Sequence, residues 1–244
     1  MSNSATSIRR VLVIGLIASV MLFTHVSTGG AVPNAYDFQI AAKKSGVWKG
    51  IDVDLIMFDP GLQANSDKFV AAPVALTTYW TSAIFIEIGP IKTCYANQTC
   101  QLRPYYSYAT NTASGFSEDT TRLLASGGNY GYKVDKTNVN NEFQAIFCSG
   151  GGCGAVWTQN MGRNDFPYVF TALETTGGAR LWPPIKISSP QAKDANGAWG
   201  SWCFDSINTT HPDGKVVPNP CVPSNNGWEL RSGYQAFIPI ALKD

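Results

Sequence analysis

The sequence predicts an all-β, antiparallel sandwich or barrel. Three observations carry this: about ten short runs with strand-like alternation, turn residues between nearly all of them, and one short helix candidate, Glu118 to Ser126. The chain has 244 residues. Without a leader of 35 residues, roughly 210 remain, a length that suits one large β domain over 36–244. Such a chain buries about 70% of its unfolded surface, enough for a sizeable core.

The leader is read from the start of the chain. Arg9 and Arg10 precede an apolar run from Val11 to Phe23, and small residues follow to Ala35. A basic segment, a short apolar segment and small residues form a secretory signal, with cleavage after Ala31 or Ala35. The run is shorter than the roughly 20 residues a membrane span needs, so no span is expected once the signal is removed. The expected destination is secreted or extracytoplasmic.

Removing the leader takes two of 18 basic residues and none of the 17 acidic ones, so the net charge becomes 16 − 17 = −1. No basic surplus is left to hold phosphates, which argues against nucleic acid as a partner. All six cysteines follow the leader, and an even count in an exported chain points to disulfides. Six cysteines allow about 15 connectivities. Neighbourhood in sequence favours Cys94–Cys100, Cys148–Cys153 and Cys203–Cys221. Sequons at Asn97 and Asn208 fall inside two of the loops these disulfides would close and predict surface glycosylation sites.

Along the chain, Val47 to Met57 sets Ile51, Val53 and Leu55 against Asp52 and Asp54, a half-buried strand. Lys68 to Leu76 is β-prone, and Pro73 assigns it to an edge or a bulge. Between Thr77 and Thr110 two strands flank the Cys94–Cys100 loop. Ile84, Ile86 and Ile88 share one face of the first, with Phe85 and Glu87 on the other. Tyr106 and Tyr108 share one face of the second, with Tyr105 and Ser107 on the other. Tyr130 to Val134, Glu142 to Cys148, Gly154 to Gln159 and Pro167 to Glu174 follow as short strands. Leu181 to Ile187 is an edge candidate, and Trp199 to Phe204 and Tyr234 to Leu242 complete the set.

Several chemistries are excluded. His211 is the one histidine after the leader, so no multi-histidine metal site can form, and no metal or cofactor is expected. No G-x-S-x-G elbow accompanies it for a serine triad. Gly150 to Gly152 lacks the Lys and Ser/Thr of a phosphate loop and reads as a hairpin tip. Carboxylates remain. Among five glutamates, Glu87 and Glu174 lie in strongly apolar strands, each with aromatic neighbours on its own face. A carboxyl buried beside aromatic rings holds its proton to higher pH, and paired carboxyls are the equipment of acid–base hydrolysis. The plainer reading is a solvated sheet face, where a glutamate needs no role.

The order of Ile86-Glu87-Ile88-Gly89, a Tyr105-Tyr106-Ser107-Tyr108 strand, and an apolar strand ending in Glu174 resembles the glutamic peptidases of the eqolisin type. The resemblance covers about Trp80 to Gly178 and implies a concanavalin A-like jelly roll. It implies that Glu174 stands at the catalytic glutamate and that Glu87 stands where the family has a catalytic glutamine. Glutamine there supplies a neutral donor to the developing oxyanion, and Glu87 matches it only when protonated. The family also shows a Trp/Tyr and an acidic residue where this chain has Tyr108-Ala109-Thr110.

Three function classes follow. A binding protein would hold a glycan or an extended peptide on a concave face lined by Phe85, Tyr106, Tyr108, Tyr168 and Phe170, because flat rings stack on apolar sugar faces. An acid-active hydrolase would use Glu87 and Glu174 as catalytic residues. A surface or assembly protein would use its aromatic residues for self-association.

Overall fold

A computed structural model describes residues 37–62, 68–78, 84–94, 99–176, 184–209, 214–218, 221 and 227–231. The leader, Asn97, His211 and the expected strand from Tyr234 to Leu242 lie outside the described residues. The structure is an all-β jelly-roll sandwich, and every regular element among the described residues is a strand. No helix of the described residues is long and apolar enough to cross a membrane.

One long strand joins the two layers. Strand β1 (Asp37–Ile56) pairs through its first half with β10 (Phe166–Thr176) and β13 (Ser206–Thr209). Its second half pairs with β7 (Asn129–Lys136) and β11 (Ile185–Asp194). The register with β10 slips between Ser45 and Trp48, and this bulge turns the strand from one sheet into the other. The first sheet continues from β10 through β2 (Lys68–Ala71) and β3 (Val74–Thr77) to β4 (Phe85–Cys94), β5 (Gln101–Ala109) and β6 (Ser114–Glu118). The second holds β8 (Glu142–Ser149), β9 (Gly152–Asn160), β12 (Trp199–Ser201), β14 (Lys215–Val217) and β15 (Gly227–Arg231).

Period-two alternation sends one face of each sheet inward. Val74, Leu76, Ile86, Ile88, Val169 and Leu173 of the first sheet meet Ile51, Val53, Leu55, Tyr132, Val134 and Phe143 of the second in one continuous core. Trp228 on β15 spans the layers, its indole N–H donating to the Thr171 hydroxyl of β10 at 3.2 Å. All three neighbour-paired disulfides are formed, Cys94–Cys100, Cys148–Cys153 and Cys203–Cys221. The first closes the β4–β5 connection and the second the β8–β9 hairpin.

Four local expectations are corrected. Glu118 to Ser126 forms no helix: Glu118 ends β6, and Asp119 accepts bonds from the Thr121 amide and hydroxyl, a turn that competes with helix formation. The run from Lys68 to Leu76 is broken into β2 and β3 at Ala72-Pro73 and lies inside the sheet, between β10 and β4. Pro73 is tolerated there because its missing amide falls at the break, where the Ala72 amide donates to Pro90 and Pro73 accepts from Ala172. The edge strand expected up to Ile187 begins at Ile185, runs to Asp194 and is interior, between β1 and β15. Asn208 sits on β13, paired with Ala41, rather than in a loop, and is exposed.

Candidate active site

The outward face of the first sheet carries both candidate glutamates. On β4, Phe85, Glu87, Gly89 and Ile91 alternate away from the core that receives Ile86 and Ile88. Register then assembles a row across four strands: Phe170 on β10, Ala75 on β3, Glu87 on β4 and Ser107 on β5. A second row, four residues along, holds Glu174 on β10, Ala71 on β2, Ile91 on β4 and Arg103 on β5. Gly89 and Tyr105 face each other between the two rows.

The floor around the glutamates mixes alanines with a few large apolar residues. Ala41, Ala75, Ala172 and Phe170 form a cluster of their own, and Ala71, Ile91 and Tyr105 form another, both distinct from the main core. Gly89 is required by close approach: a Cβ there would run into the Ala72 carbonyl where the β2–β3 break crosses β4. The Glu-x-Gly spacing on β4 therefore places a carboxyl two residues from a close backbone contact that only glycine permits.

Glu87 is 4% exposed, although it is a carboxyl. Its Oε1 accepts from the Tyr105 hydroxyl at 3.4 Å, while its Oε2 has no hydrogen-bond partner. Burial pushes its carboxyl well above the usual range, and the negative charge of Glu174 pushes it further; the hydroxyls of Tyr105 and of Ser107 opposite pull the other way without winning. Burial and Glu174 both favour the neutral acid form of Glu87 over the carboxylate. The Tyr105 hydroxyl is itself raised well above its ordinary value, first by burial and then by Glu87 and Glu174, so it remains a donor. Glu174 is half-buried.

The aromatic platform is not assembled as expected. Tyr106 and Tyr108 stand opposite Ile88 and Ile86 on β4, and so belong to the core-facing side. There they pack on Trp157 of β9, with ring centroids 4.3 Å and 5.6 Å away. Phe85 and Phe170 do lie on the outward face with Glu87, but both are 2% exposed and offer no free ring face for a sugar. Tyr168 is half-buried beneath the Lys43 ammonium, 4.4 Å from its ring centroid. The rings expected to form one stacking surface are split between two faces or covered.

Tyr105 and Ser107 are the residues that reading single strands missed. Alternation already put them on a common face of β5, opposite to Tyr106 and Tyr108. Which of those faces meets Glu87 depends on the β4–β5 register, Glu87 opposite Ser107, and the length of the disulfide-closed connection decides it.

No known family matches the sequence, and no curated protein matches it. The folded chain is similar to scytalido-glutamic peptidase solved with a peptide-based transition-state analog, with a TM-score of 0.55 and 10% identity over 80% of this chain and 98% of that one. A second structure of that peptidase, with a transition-state analog inhibitor, gives a TM-score of 0.54 and 11% identity over 83% and 100% of the two chains. At such identity the likeness is one of fold: this chain has the jelly-roll sandwich of the glutamic peptidases.

Proposed function

We propose that this chain is a glutamic-peptidase-like hydrolase that cuts extended peptides in acid, with Glu174 as general base and Glu87 as neutral donor. The observation that carries the reading is the interacting carboxyl pair on the outward face, one member buried with an oxygen free of partners. In the reaction, Glu174 takes a proton from water as the water oxygen bonds to the scissile carbonyl carbon. The Glu87 carboxyl donates a hydrogen bond to the oxyanion that develops and keeps its own proton. Collapse breaks the C–N bond, and the proton held by Glu174 passes to the departing amine. A protonated carboxyl has the shape and the donor–acceptor pair of a carboxamide, which is how Glu87 would stand in for the glutamine of the peptidases.

The two carboxyls set the pH range in opposite directions. Glu174 must be ionised and Glu87 protonated, so activity rises with the first ionisation and falls with the second. The three disulfides fit an oxidising compartment, and together with the N-terminal signal they support export. The glycan alternative is less well supported, because Phe85 and Phe170 are buried and Tyr106 and Tyr108 face the core.

The test is cleavage of a denatured protein by the mature chain between about pH 3 and 7, beside Glu174→Gln. Removal of the base should cost at least about a hundredfold in kcat. Absence of cleavage at every pH, with retained binding of the same peptides, would replace the hydrolase by a peptide-binding protein on the same face.

A further inference from the structure

We propose that Tyr105 is a positioning residue that decides which oxygen of Glu87 carries the proton: by donating to Oε1 it makes that atom the carbonyl oxygen and leaves the O–H on Oε2, the oxygen without a partner. The catalytic consequence rests on the hydrolase reading; the proton assignment does not.

The geometry has three parts. Tyr105 is 2% exposed, and its ring is held against Phe116 of β6 at a centroid distance of 5.8 Å. Its hydroxyl donates to Glu87 Oε1. Glu87 Oε2 is buried and makes no hydrogen bond, so it is the carboxyl atom with a proton to give and no acceptor yet to receive it. In a neutral carboxyl the carbonyl oxygen is the better acceptor, and a fixed donor on one oxygen therefore favours the tautomer with the proton on the other. The groups that influence Glu87 are Tyr105 and Ser107 from β5 and Glu174 from β10, while β3 presents Ala75 opposite it. Tyr105 stands in the row between those of Glu87 and Glu174 and is influenced by both carboxyls. Without that hydroxyl the carboxyl could place its proton on either oxygen, and half of its orientations would turn an acceptor toward an oxyanion.

A donor to Oε1 also lowers the proton affinity of Glu87, since the bond is stronger to the carboxylate than to the acid. The experiment follows the Glu87 carboxyl by carbon-13 NMR in the full mature chain, its signal identified by its loss in Glu87→Gln. In Tyr105→Phe the Glu87 midpoint should move up by about one pH unit. Replacing Tyr105 with 3-fluorotyrosine keeps the ring and makes a stronger donor, so the midpoint should move down and the fold is not at risk. A midpoint unchanged or reversed in these two proteins overturns the assignment. Where cleavage is present, Tyr105→Phe should lower kcat roughly tenfold with KM nearly unchanged, and its alkaline limb should follow the NMR midpoint upward. A fall in kcat with an unmoved limb would mark Tyr105 as merely structural. If the wild type cuts nothing, the hydrolase reading fails, and the two NMR shifts still decide the role of Tyr105.

Discussion

The two faces of the first sheet are built from the same strands and could hardly differ more. Inward, β4 presents Ile86 and Ile88, β3 presents Val74 and Leu76, and β10 presents Val169 and Leu173, all fully buried in the main core. Outward, the same strands present Glu87, Ala75, Ala172 and Glu174, with Gly89 between the glutamates. The inward face gains stability from large branched side chains, each contributing about 1.5–3 kcal/mol on burial. The outward face gives up part of that contribution: its alanines bury little apolar area each, and a buried carboxyl costs free energy unless it keeps its proton. A sheet face that accepts small residues and a poorly satisfied acid, next to one packed for stability, is where a site is expected.

The largest effect that sharpens the contrast is on the inward face. Ile88→Ala removes a fully buried side chain and should cost about 2–5 kcal/mol in denaturant unfolding, while the Glu87 titration of the folded protein stays where it was. A shift in that titration would mean that the faces are mechanically coupled through β4.

A smaller effect, of opposite sign, belongs to the outward face. Burial raises the Glu87 pKa in the folded chain above its unfolded value, so folding takes up a proton between the two. Stability is full below the unfolded pKa of glutamate and declines as pH rises from there to the raised folded value, by about 1.4 kcal/mol for each unit crossed. Glu87→Gln removes the titration and should flatten this decline, leaving the variant more stable than wild type near neutral pH and no better in strong acid. Thermal unfolding at several pH values measures it; parallel curves for the two proteins would mean that Glu87 is ionised in the fold.

Strand existence and alternation were legible in the sequence because both are local. Each strand's apolar residues recur with period two, so Ile86 and Ile88 separate from Glu87 without reference to any other part of the chain. The three disulfides were legible for a similar reason, since each pairs a cysteine with its next neighbour in sequence. What joins one strand's face to another's is register, and register is non-local. Glu87 and Glu174 share a sheet face only because β2 and β3, interrupted at Pro73, lie between β4 and β10. The same dependence hid Tyr105, and it drew Tyr106 and Tyr108 into a ligand surface to which they do not belong.

Tyr108→Phe gives the smallest expected effect and tests that last point directly. Tyr108 packs on Trp157 and lies so close over Gly115 that a Cβ on the glycine would strike the ring. Both contacts are made by the ring, which phenylalanine retains, so stability should change by no more than about 0.5 kcal/mol. Peptide binding and cleavage should not change at all, because the hydroxyl is on the face opposite Glu87. A loss of peptide affinity in Tyr108→Phe, with the fold intact, would return Tyr108 to the ligand surface and break the division of labour between the two faces. An unchanged affinity, set beside a shifted pH profile in Tyr105→Phe, would show that two tyrosines three residues apart on one strand serve different faces because of pairing register alone.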